Sequence, residues 1–111
     1  MLKTSGWFVH AGEWQTLGPG IQRRILAYDD ALMMVAVQFE TGAVGTMHHH
    51  PHRQATYVAA GEFDVVIAGR TSRLKSGDSF FVPPDAEHGV VALTAGTLVD
   101  VFTPAREDFV S

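Results

Sequence analysis

Hydrophobic and polar positions alternate along most of this chain. Met33, Val35, Val37 and Phe39 fall on one face of an extended segment, with Gln38 and Glu40 turned to the other. Phe63, Val65 and Ile67 repeat the pattern around Asp64. Runs rich in β-branched and aromatic residues recur over residues 21–28, 56–60, 80–82, 89–93 and 98–102. Turn-forming groups separate them: Gly18-Pro19-Gly20, Asp29-Asp30, Thr41-Gly42, Ala68-Gly69, Ser76-Gly77-Asp78, Pro83-Pro84-Asp85 and Ala95-Gly96. No window carries three turns of amphipathic helix, and the best helical candidate is the short tail after Pro104. About ten short strands with closely spaced turns predict one all-β domain over residues 1–111, a sandwich or barrel. A sheet of this size hides its edges by closing on itself or by pairing with a second copy. We therefore expect a homodimer that pairs through its N-terminal strands, with Trp7, Phe8 and Trp14 in core or dimer packing and His10 at the surface or interface.

Composition narrows the chemistry. Of 111 residues, 46% are hydrophobic and 18% charged, which suits a globular chain. Eight basic against twelve acidic side chains leave a net charge of −4, so no basic patch favours a nucleic-acid partner. The longest apolar run, residues 31–37, is too short to span a bilayer, and the N-terminal residues do not resemble a signal segment. A cytoplasmic protein without membrane partners is the expectation. There are no cysteines, so disulfides, thiolate metal sites and cysteine nucleophiles are excluded. Any metal must be held by His, Gln, Asp or Glu.

Six histidines occur, and four lie in His48-His49-His50-Pro51-His52. The run is internal and broken by proline, unlike a tag, and histidine is not a preferred turn residue. On an extended chain His48 and His50 project together while His49 points away. Two such imidazoles can meet one metal ion at about 2.0–2.1 Å. Gln54 offers a neutral amide oxygen that can complete a metal site, or it is an ordinary surface amide. Pro51 bends the chain, which makes His52 a pocket residue or a support for the ligands. His88 is isolated and is expected to open a strand.

The stretch Gly42-x5-His48-x-His50-x3-Gln54-x6-Gly61 resembles the first cupin motif, G-x5-H-x-H-x3,4-E-x6-G. The stretch Gly77-x5-Pro83-x-Asp85-x2-His88 resembles the second, G-x5-P-x-G-x2-H-x3-N. Gln54, Asp85 and Ala92 stand where the family usually has Glu, Gly and Asn. The resemblance implies a double-stranded β-helix, the jelly-roll barrel, holding one divalent metal ion (zinc, nickel, manganese or iron) on His48, His50, Gln54 and His88. A three-histidine, one-amide set lacks the carboxylate of the iron oxygenase arrangement.

Asp100 lies in the apolar segment 98–102, on the face of Leu98 and Phe102. A carboxylate there must be partnered or functional, because burying a lone charge is costly. Arg106 either pairs with it, binds a substrate carboxylate through its planar fork, or is an exposed tail residue. Arg23 and Arg24 form a surface pair, or one of them faces the barrel mouth. Asp100-x-Phe102-x3-Arg106, together with Gln54, resembles the pectin-degradation cupins that linearise 4,5-unsaturated uronates. That resemblance implies a small carboxylated-sugar substrate, a metal-dependent isomerase or ketonising activity, Asp100 as the proton carrier, Arg106 on the carboxylate and Phe102 as pocket wall. The alternatives are another metal-dependent cupin enzyme (oxygenase, lyase or sugar isomerase) and a non-enzymatic module that binds a small molecule.

Overall fold

The computed structural model describes residues 4–110. Ten strands and one short helix follow in order: β1 (Gln15–Gly18), β2 (Ile21–Tyr28), β3 (Met33–Phe39), β4 (Val44–His48), β5 (Arg53–Ala60), β6 (Glu62–Ile67), β7 (Arg70–Lys75), β8 (Ser79–Val82), β9 (His88–Ala92), β10 (Gly96–Thr103) and α1 (Glu107–Val110). Each apolar run of the sequence lies within or overlaps one of these strands. β1, β4 and β7 carry no such run, because most of their residues are exposed.

The strands form two antiparallel sheets, ordered β1-β2-β3-β10-β5-β8 and β4-β9-β6-β7. From β3 onward the chain crosses between sheets at every connection except the β6–β7 hairpin, which gives the jelly-roll path. The expected barrel is a two-sheet sandwich, whose sheets are not joined by hydrogen bonds into a closed ring. Its edges are blunted in other ways. β1 and β8 have four residues each, and β7 exposes Arg70, Arg73 and Lys75.

The inner faces supply the core. Met33, Val35, Val37 and Phe39 of β3 are buried against Val58, Phe63, Val65 and Leu98. Phe63 is fully buried and meets Phe39 edge-on at 5.2 Å. Each such side chain contributes about 2–3 kcal/mol through lost water contact. Trp7 and Phe8 do not join this core; they are 92% and 88% exposed. Trp14 is half-buried, with the Arg24 guanidinium 4.3 Å from its ring centre.

Two backbone positions explain motif residues. Gly61 has φ of 86°, and a Cβ there would lie 2.6 Å from the Ala95 carbonyl oxygen. Asp85, which stands where the family usually has glycine, has φ of 64°. Aspartate is among the few side chains that tolerate this left-handed region.

Candidate metal centre and its pocket

β4 and β9 pair so that His48 stands directly opposite His88. Their ring centres are 4.2 Å apart. His50 lies two residues past the end of β4, and its ring centre is 4.9 Å from that of His88. One ring nitrogen of each histidine falls within 4.8 Å of the other two. The three expected histidine ligands therefore converge, although strand geometry holds only as far as His48. His49 is exposed, away from them.

Backbone carbonyls orient all three rings. Nδ1 of His48 donates to the Thr46 carbonyl at 2.9 Å, Nδ1 of His50 to His52 at 3.1 Å and Nδ1 of His88 to Ala86 at 2.9 Å. With the proton on Nδ1, each Nε2 keeps a free lone pair, as metal-binding imidazoles require. The buried Nε2 of His88 has no hydrogen-bond partner. Burial pushes the His88 imidazole down to about 4, so it is neutral at pH 7. Burial also lowers His50 and His52 from their ordinary values.

Gln54, on β5, places Oε1 3.0 Å from Nε2 of His50. Two acceptor lone pairs facing each other at that distance call for a cation between them. The orphaned His88 nitrogen makes the same demand. The donor set thus fits a divalent metal, which His48, His50, His88 and Gln54 would hold. His52 stands behind this set. Its carbonyl holds His50, and its ring centre is 6.5 Å from that of Phe102.

The Gln54 amide is itself oriented. Its Nε2 donates to Thr56 Oγ1 at 2.9 Å and to Asp100 Oδ1 at 3.3 Å, which turns Oε1 toward the histidines. Thr56 donates onward to Asp100 Oδ1 at 2.6 Å. The β10–β5 register produces this cluster by setting Asp100 opposite Thr56 and Phe102 opposite Gln54. Burial pushes the Asp100 carboxyl up to about 6, against the pull of the Thr56 hydroxyl. Nothing in the residue pattern singles out Thr56 beyond its sharing a strand face with Gln54.

These groups open on a cavity of about 510 Å³, a size suited to a small ligand. His48, Gln54, His88, Asp100, Phe102 and Arg106 all line it, and so do Arg23 and Phe109. Arg106 does not pair with Asp100. Its Nε and Nη2 donate to the two carboxylate oxygens of Asp108 at 3.1 and 3.0 Å. Nor is it an exposed tail residue, because its side chain is only 13% exposed. It lies 4.3 Å from the Phe109 ring centre and 5.1 Å from that of Phe102. Of the arginine pair, Arg23 faces the cavity and Arg24 turns to Trp14.

Comparison with known proteins places this geometry among relatives. Residues 35–102 match the family model described as the cupin domain. The chain is 50% identical over 98 residues to the pectin degradation protein KdgF of Dickeya dadantii (strain 3937), covering 86% of this chain and 89% of that one. The crystal structure of an RmlC-like cupin from Shewanella frigidimarina NCIMB 400 superposes with a TM-score of 0.93 at 44% identity, covering 96% and 98% of the two chains. The structure of KdgF from Halomonas sp. superposes with a TM-score of 0.86 at 45% identity, covering 88% and 91%.

Proposed function

The chain belongs to the cupin family and resembles its pectin-degradation members, and from that premise we propose that it is a metal-dependent enzyme converting 4,5-unsaturated uronates to linear keto sugars. One observation carries the reading: a three-histidine, one-amide donor set borders, through His48, His88 and Gln54, the cavity that a carboxyl group of raised affinity for protons also lines.

The conversion is an isomerisation. The ring hemiacetal bond breaks, the anomeric hydroxyl loses its proton, and a proton arrives at the alkene carbon as the enol becomes a ketone. A bound divalent metal supplies Lewis acidity toward substrate oxygens. Asp100 holds the proton to be moved. Its Oδ1 is fixed by Thr56 and Gln54, which leaves Oδ2 as the oxygen free to exchange a proton with substrate. Phe102 and Phe109 give the pocket apolar walls that limit water around the sugar. Arg106, locked by Asp108, adds positive charge beside them. The donor set favours this reading over an iron oxygenase, because Gln54 stands where a carboxylate ligand would be. The proposal retains a cytoplasmic homodimer, and the exposure of Trp7 and Phe8 supports its second part.

The test is ultraviolet absorbance of a 4,5-unsaturated uronate mixed with metal-loaded protein. The conjugated double bond absorbs, and its loss reports conversion. Decay should accelerate, stop with chelator, and slow by about 10²–10⁴-fold in Asp100→Asn. A metal-loaded wild type that leaves the decay unchanged rejects the uronate reading.

A further inference from the structure

We propose that Arg23 is the carboxylate-binding residue of this pocket and sets its preference for acidic over neutral sugars. This inference rests on the uronate reading above and deepens it. Arg23 sits on β2 directly opposite the buried Val37 of β3, so it shares the inner face of the sheet. A guanidinium on an apolar inner face is costly unless an anion meets it. Among the described residues none does. Its Nε is buried without a hydrogen-bond partner, and no carboxylate lies within ion-pair distance of it. Asp108 is the acidic group felt by Arg23, but both its oxygens are held by Arg106.

The two arginines therefore differ in what they can still bind. Arg106 has spent the Nε–Nη2 edge of its fork on Asp108, whereas Arg23 retains its donors. Both guanidiniums lie against Phe109, at 3.8 and 4.3 Å from its ring centre. Burial and the charge of Arg106 disfavour the protonated form of Arg23, and Asp108, the carboxylate whose charge reaches it, is engaged by Arg106. The charge of Arg23 is left without an ion-pair partner among the described residues. A planar carboxylate accepting from the fork of Arg23 would balance it, and a neutral hydroxymethyl group would not.

The experiment is calorimetric titration of the metal-loaded full chain with D-galacturonate and with D-galactose, which differ by carboxylate against hydroxymethyl. Wild type should bind the acid at least tenfold more tightly. Arg23→Gln should reduce that preference to within about twofold, and Arg23→Lys, which keeps the charge but loses the fork, should retain part of it. If Arg23→Gln fails to fold, the lysine variant decides, because an undiminished preference there overturns the assignment. So does a wild type that does not prefer the acid, or a folded Arg23→Gln that still does. Turnover of the unsaturated uronate by the same samples reports on the enzyme reading separately. There Arg23→Gln should raise KM tenfold or more with kcat within about threefold. A wild type that prefers galacturonate but does not turn over the unsaturated uronate retains Arg23 and rejects the reaction.

Discussion

Thr56 has little chemistry to offer a sugar acid, yet it joins the candidate metal ligand Gln54 to Asp100. Its hydroxyl accepts from Gln54 and donates to Asp100, so one buried oxygen fixes the amide that faces the histidines and the carboxyl that faces the cavity. Groups that orient a metal ligand typically change metal affinity by 10–100-fold when removed. Thr56→Val keeps the shape and β propensity of the site and should weaken metal binding by about that factor, while Thr56→Ser should restore it. Competition against a chromophoric chelator measures both, and equal affinities in wild type and Thr56→Val would show that Gln54 needs no such support. The four candidate ligands were legible because motif spacing names them. Thr56 was not, because its partner Asp100 lies 44 residues away and only the β5–β10 register brings them together. An Asp100–Arg106 pair, one of the three readings open for Arg106, does not form, for a local reason. Asp108, two residues from Arg106, accepts from its Nε and Nη2 instead.

At the scale of elements, alternation revealed the strands with one buried face and missed those without. β3 buries five of its seven residues, whereas the exposed edge strand β7 reads Arg-Thr-Ser-Arg-Leu-Lys and pairs on one side with β6. Its solvent face includes the Asp64–Arg73 ion pair, which hydropathy cannot register as a strand. Turns were legible through their glycines, and the structure separates two kinds. Gly61 has positive φ and stands where a Cβ would strike the Ala95 carbonyl, while Gly69 has a similar φ of 80° with nothing within 4 Å. Gly69→Ala should therefore cost about 1–2 kcal/mol, the penalty of the left-handed backbone alone. Gly61→Ala adds overpacking against fixed backbone and should cost about 2–5 kcal/mol. Urea midpoints with unchanged slopes measure both. Equal losses would mean that the β5–β6 corner relaxes around the added methyl.

Across the whole molecule, the candidate ligands do more than assemble a site. His48 and His88 belong to the four-stranded sheet, Gln54 to the six-stranded sheet, and His50 to the segment that crosses between them. The two sheets share no hydrogen-bonded strand pair and are held by the core and by their connections. A metal bound by all four residues ties one sheet to the other at the cavity end, in the folded state only, so its binding energy becomes folding energy. At a free metal concentration one hundred times Kd the added stability is about 2.7 kcal/mol. For a domain of this size that raises Tm by about 10 °C or more. Chelator should reverse the shift. His88→Ala should abolish it, because that variant removes the buried nitrogen that has no other partner. Gln54→Ala should reduce it, since the amide is the one ligand drawn from the opposite sheet. Thermal unfolding monitored by circular dichroism, with and without added divalent metal, measures all three. If His88→Ala gains as much from metal as wild type does, the metal binds elsewhere and the sheets are joined by their core alone.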